Sequence, residues 1–279
     1  MAIVTFWNNG TEQIGKTLSI AAISTYMAIE HNYRTLVVTT GYNDDSLDNC
    51  FWQTQKIKKN LGLFGPNTVV TLEEGISGLT KIMRSNKLSP EIIANYTKTV
   101  FKDNRLEILQ TYKGPKSDYL DMKKLYPEII KLANRYYDLV FVDLDKQIDE
   151  ELSDAILANS NLVIVNLSQR LSSINKFIEI KEKKPIFKSK KSLILINRFD
   201  KFSKYNVKNI SRYMKEKNNV LTIPYNTLFF EACEEAKVPD LFLKLRRTGE
   251  DDRNGFFLAE VKRASESIMY RLQDLQIKW

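Results

Sequence analysis

Gly10 and Gly15 are separated by four residues and followed at once by Lys16 and Thr17, in the stretch NNGTEQIGKTLS that runs from Asn8 to Ser19. The pattern G-x-x-x-x-G-K-[ST] suits a loop whose backbone N–H groups curl around a polyphosphate. Glycine is needed where backbone approaches the phosphate without a Cβ. In such a loop Lys16 reaches the β- and γ-phosphates and Thr17 offers its hydroxyl to Mg²⁺. Gly10, Thr11, Glu12, Gln13, Ile14, Gly15, Lys16, Thr17 and Leu18 are therefore the expected cradle for a nucleotide. A chance match in a strand-to-helix turn is the alternative. Against it stands the order of strand (2–7), loop and helix, which is the context the chemistry demands.

A Mg²⁺-nucleotide site also calls for a carboxylate at the end of a neighbouring strand. In YYDLVFVDLDK four apolar residues precede Asp143, which places it at the carboxyl end of a strand, where α/β sheets bind ligands, to hold the metal through water. Asp145, two residues on, reads equally as a loop residue or a ligand.

The elements that must position these groups are legible as runs. Residues 2–7, 35–40, 106–110, 138–144, 161–167, 192–197 and 219–224 are short, nearly continuous apolar segments, as parallel strands buried on both faces require. Helical periodicity lies between them at 16–31, 119–136 and 205–216. The alternation implies βαβ units and an α/β fold, a twisted, mostly parallel sheet with helices on both faces. Residues 73–104 break the rhythm and read as a small helical insertion, with Ser89 able to cap and Pro90 to open its second helix. Near 256–275 an amphipathic helix carries Phe257, Val261, Ala264, Ile268, Leu272 and Leu275 on one stripe. Its mixed polar face favours packing on the protein's own sheet, while Lys278 and Trp279 argue for an interfacial anchor. The whole chain, 1–279, reads as a single domain.

With 43% hydrophobic and 27% charged residues among 279, wholesale disorder is excluded. The apolar start lacks a basic leader and reads as a strand, and no apolar run is long enough to span a bilayer, so a cytoplasmic address is expected. The formal charge of +8, concentrated in 56–59, 181–191 and 244–247, leaves non-specific DNA and anionic membrane surfaces open as partners. Cys50 and Cys233 read as ordinary reduced thiols. The lone histidine, His31, reads as a helix-end residue rather than a catalytic one.

Taken in order along the chain, the glycine-lysine loop, YDLVFVDLD (137–145), LILINRFDK (193–201) and LTIPYN (221–226) resemble the ParA/MinD group of P-loop ATPases. The resemblance implies a P-loop NTPase fold, ATP and Mg²⁺ as cofactors, a homodimer in the ATP state, and a protein partner. It also implies recruitment to a membrane, cell pole or nucleoid to position a cellular machine. Asn197 would face the base in the adenine-recognising segment, which includes Arg198, with Pro224 and Tyr225 lining the base from the other side. LEILQTYKGPKSDYL (106–120) is similar to the corresponding stretch of the CpaE/TadZ pilus-assembly branch.

Two departures from the family pattern bear on turnover. Thr11 stands where the family has a lysine that reaches the partner's nucleotide. Thr39 and Gly41 stand where its second strand ends in two acids, one of which positions the attacking water. Phosphoryl transfer relies on positioning and charge stabilisation, so binding is expected to outlast hydrolysis. Asp44 or Asp45, or Asp48 beyond them, can swing in as the catalytic acid, or they simply form a turn and a cap. The leading expectation is an ATP-dependent switch with weak or absent hydrolysis. The alternatives are a DNA-partition ATPase and a metabolic enzyme resembling dethiobiotin synthetase.

Overall fold

A computed structural model describes residues 1–10, 13–53, 75–84, 89–216 and 219–276. Among the described residues, eight strands form one sheet: β1 (Ala2–Asn8), β2 (Thr35–Thr39), β3 (Lys98–Phe101), β4 (Leu106–Leu109), β5 (Leu139–Asp143), β6 (Leu162–Ser168), β7 (Ser192–Phe199) and β8 (Val220–Pro224). Their order is β3-β4-β2-β5-β1-β6-β7-β8, parallel throughout except for β3, which runs antiparallel to β4. The seven parallel strands are those read from the sequence.

Alternation within each strand separates two apolar layers. In β5, Val140 and Val142 face one way, with Ile3, Leu36 and Val163. Leu139 and Phe141 face the other, with Val4, Phe6 and Ile164. The first layer is covered by α2 (Gly75–Arg84), α4 (Tyr126–Ala133), α5 (Glu150–Ala158), α6 (Leu171–Lys183) and α7 (Val207–Met214), together with α3 (Lys116–Met122). The second is covered by α1 (Lys16–Glu30), α8 (Thr227–Glu234), α9 (Val238–Leu245) and α10 (Arg253–Gln276).

The stripe on α10 faces inward: Phe257, Val261, Ala264, Ile268 and Leu272 are all buried. Glu260, also buried, accepts a hydrogen bond from Thr222 of β8 and pairs with Arg263 at 2.5 Å. Lys278 and Trp279 lie outside the described residues. No helix among those described is long and apolar enough to cross a membrane.

The segment 73–104 departs from a purely helical insertion. Its described residues hold α2, a 3₁₀ turn over Pro90–Tyr96 and the edge strand β3. The hairpin to β4 turns through Asp103 and Asn104, whose φ angles of 60° and 56° are left-handed. Asp and Asn tolerate that conformation, which makes KDN a turn signal outweighed by the helical pattern before it. The hairpin is locked by Glu107, a buried carboxylate that accepts from Tyr137, Thr97 and Thr99. His31 closes α1, its N–H donating to the Met27 carbonyl at 2.9 Å.

Candidate nucleotide-binding site

The chain leaves β1 at the middle of the sheet, between β5 and β6. Connections depart to opposite sides there, and the crevice beyond the strands' carboxyl ends is where an open α/β sheet takes a ligand. The loop between β1 and α1 rims this crevice. Gly10 and Gly15 have φ of 75° and 84°, conformations that glycine adopts freely. Gly15 occupies the N-cap position of α1, and no acidic residue stands in that helix's first turn. Its positive end is therefore free to face an anion.

Lys16 turns back beneath the loop, where it is 8% exposed. Its Nζ lies 2.7 Å from Asp143 Oδ1 and also donates to the Leu144 carbonyl. The Thr17 hydroxyl donates to Asp143 Oδ2 at 2.7 Å. Strand register explains the convergence: Asp143 pairs with Phe6 on one side and Thr39 on the other, placing its carboxyl at the carboxyl end of the sheet's central strands, beside the loop. The three side chains expected to share Mg²⁺ and phosphate thus meet at one point.

A cleft of about 530 Å³ opens over them, lined by Gln13, Ile14, Gly15, Lys16, Thr17 and Leu18 from the loop and by Asp44 and Asp145 from across it. Thr11 and Glu12 lie outside the described residues. Beside this cleft is a second one of about 260 Å³, walled by Leu18, Arg198, Pro224, Tyr225 and Phe230. Its apolar walls, with Tyr225 half-exposed, suit the flat face of a base.

Arg198 stands between the two clefts. The β7–β8 register shifts between Asn197 and Phe199, and Arg198 adopts a φ of 51°. A left-handed non-glycine residue carries local strain of the kind that clusters at ligand sites. The bulge throws its side chain over the loop, with Nε 3.4 Å from where a Cβ on Gly15 would be. Asn197 is instead turned inward at 1% exposure: its Oδ1 accepts from Ser19 and its Nδ2 donates to Asn166 at 3.0 Å. Asn197 thereby ties α1 to β6 and β7 at the back of the site. Neither Ser19 nor Asn166 sits in a sequence spacing that marks it as a site residue.

The acids offered by the second-strand loop divide. Asp44 lines the larger cleft and accepts from the Ser46 N–H at 2.9 Å. Asp45 turns to Lys113 at 2.5 Å, and Asp48 is buried beside the same lysine and accepts from Gln110 at 2.7 Å. Asp45 is thus held by a cation outside the lining of the cleft, which removes it as a water-positioning acid in this conformation.

Burial pushes the Asp48 carboxyl above its ordinary value of 3.8, against the hydrogen bond from Gln110 and the charge of Lys113. The folded protein therefore holds this proton to higher pH than the unfolded chain does. The Asp48 contribution to stability falls as pH rises from about 3.8 through the folded value, and the penalty is complete above it. Asp48→Asn keeps an acceptor for Gln110 and leaves Asp45 to Lys113. We expect it to stabilise the fold at pH 7, with the gain shrinking in urea titrations repeated near pH 4.

Cys50 and Cys233, far apart in the chain, meet within the protein: their mutual hydrogen bond and burial push the Cys233 thiol up, keeping it protonated.

No protein-family model matches this chain, and no curated protein matches it. Solved structures do. A ParA family ATPase from Chlorobium tepidum superimposes with a TM-score of 0.69 at 13% identity, over 95% of this chain and 98% of that one. The septum site-determining protein MinD from Pyrococcus horikoshii, complexed with Mg-ADP, gives 0.63 at 15%, over 97% and 98%. A plasmid partition protein from Borrelia burgdorferi, bound to AMPPNP, gives 0.58 at 17%, over 99% and 98%. This chain has the α/β fold of the ParA/MinD ATPases.

Proposed function

We propose that this protein is an ATP-binding switch of the ParA/MinD kind, which dimerises in the ATP state, hydrolyses slowly, and positions a larger cellular machine. The observation that carries the reading is the convergence of Lys16, Thr17 and Asp143 beneath a glycine loop at the N-terminus of α1. Lys16 and Asp143 neutralise each other in this conformation. Phosphate entering the loop would draw Lys16 toward it and free Asp143.

The donor set fits Mg²⁺, which is usually bound by one or two carboxylates together with substrate phosphates and waters rather than by an all-protein cage. Thr17 and Asp143 would hold it, Asp143 through water. When bound, the ion neutralises charge on the β- and γ-phosphate oxygens. The base would lie in the cleft of Leu18, Pro224 and Tyr225, with Arg198 closing over the phosphates.

Further support comes from the structural neighbours, one holding Mg-ADP and one AMPPNP. The proposed setting is the cytoplasm, with recruitment to a membrane, pole or nucleoid. The 106–120 stretch points to a pilus or secretion apparatus as cargo. The DNA-partition alternative draws less support, because the basic run 181–191 is partly spent on internal pairs: Lys181 with Glu216, Lys184 with Glu150 and Asp154, and Lys188 with Glu182.

The test is sedimentation of the protein with Mg²⁺ and ATP, ADP or neither, alongside phosphate release. A dimer that forms with ATP and not with ADP, and turns over slowly, is the expected result. Failure to bind either nucleotide would overturn the assignment, and brisk turnover would overturn the claim of slow hydrolysis.

A further inference from the structure

Gly41 leaves a gap where, by the resemblance drawn from the sequence, a water-positioning acid would stand, and the structure shows what fills that gap. A Cβ built on Gly41 would have the Asp145 carboxyl carbon and Oδ2 as neighbours at 3.8 Å, with Asp44 Cβ at 3.5 Å. Asp145 comes from the loop after β5, two residues beyond Asp143, and lines the same cleft as Lys16 and Thr17. We infer that Asp145 is the residue that positions and deprotonates the attacking water, supplied from the β5 loop in place of the acid absent from the end of β2. The inference rests on the reading of the site as an ATPase.

Both strand ends are fixed so that the carboxylate is held rather than free to wander. The Asp145 N–H donates to Thr40 Oγ1 at 2.8 Å, and that hydroxyl donates to the Asp143 carbonyl at 3.1 Å. Thr40 thus clamps the β5 loop to the end of β2. Two phenols brace the clamp from beneath: Tyr119 donates to the Thr40 carbonyl at 2.8 Å and Tyr126 to the Thr39 carbonyl at 3.2 Å. Burial, with the charge of Asp145 adding to it, pushes both phenols above their usual range, so both remain donors. On Asp145 itself, Oδ1 accepts the Gln147 N–H at 2.7 Å, which leaves Oδ2 on the side of Gly41. A carboxylate preorganised in this way can hold a water in line without reorganising during the reaction.

In the step proposed, a lone pair of the water oxygen forms a bond to the γ-phosphorus as the bond from phosphorus to the bridging oxygen breaks, its electron pair leaving with ADP. Asp145 accepts one water proton and returns it to the inorganic phosphate, so the carboxylate is regenerated. Asp44 lines the same cleft, but beside Gly41 it presents its Cβ, whereas Asp145 presents its carboxyl carbon and Oδ2.

The test compares wild type with Asp145→Asn, which keeps an oxygen to accept the Gln147 N–H, in three measurements: ATP affinity, single-turnover hydrolysis, and the lifetime and nucleotide content of the ATP-formed dimer. The expected result is affinity within about threefold of wild type, hydrolysis slower by about 100-fold, and a long-lived dimer that retains ATP. Gly41→Asp added to Asp145→Asn is expected to recover part of the rate. Gly41 lies outside the left-handed region, and the nearest neighbour of an added Cβ sits at ordinary contact distance, so the backbone there tolerates a Cβ.

Wild-type hydrolysis in Asp145→Asn would overturn the inference while leaving the ATPase reading intact. Hydrolysis restored to Asp145→Asn by raised Mg²⁺ alone would overturn it in favour of a metal ligand. A wild type that does not bind ATP overturns both.

Discussion

Lys16→Ala abolishes saturable ATP binding at concentrations that fill the wild type, and with it any ATP-dependent dimer. Lys16 is the one loop side chain expected to touch both the β- and γ-phosphates, as a charge-assisted donor in a cleft partly screened from water. Hydrogen bonds to charged groups contribute about 1.5–3 kcal/mol each. Removing two such bonds at once weakens binding by at least about 100-fold. The nucleotide-free protein responds as well. Without the ammonium, Asp143, almost wholly buried, keeps the Thr17 hydroxyl as its remaining side-chain partner. Breaking one side of a buried pair costs about 3–5 kcal/mol, and the Thr17 bond places this case at the lower end. Isothermal titration with ATP and a urea melt separate the two effects. If Lys16→Ala binds ATP as wild type does, the cleft is not a phosphate site.

Phe257→Ala loses about 3–5 kcal/mol of folding stability. Phe257 is fully buried where α8, α9 and α10 meet on the sheet, stacked on Phe229 at 4.9 Å and edge-on to Phe242 at 6.2 Å between ring centroids. Truncation forfeits the transfer free energy of the ring and leaves a cavity whose walls, two further aromatics and the sheet, cannot collapse far. Urea denaturation monitored by far-ultraviolet dichroism reads the loss, and Phe257→Leu should recover more than half of it. This also tests the role of α10: a helix held loosely on the surface for a membrane would lose less than about 1 kcal/mol.

Features carried by short-range pattern were legible in the chain. The glycine spacing, Lys16 and Thr17 are contiguous, and continuous apolar runs of strand length have one physical solution, burial between two layers of helices. Hence the seven parallel strands, the loop-to-helix junction and the inward stripe of α10 could be read from residues alone. The edge strand β3 could not, because none of its four residues is buried, Thr99 being exposed, and they follow a helix-like segment. What tertiary structure alone decided is which distant groups meet. The register of β5 between β1 and β2 brings Asp143 under Lys16 and Thr17, and carries Asp145 into the space beside Gly41, more than a hundred residues away in the chain. Lys113 withdraws Asp45, and a register shift in β7 turns Asn197 inward and Arg198 outward over the loop. These placements depend on how strands align across the sheet, and alignment is set by the packing of both faces at once, which no local spacing encodes.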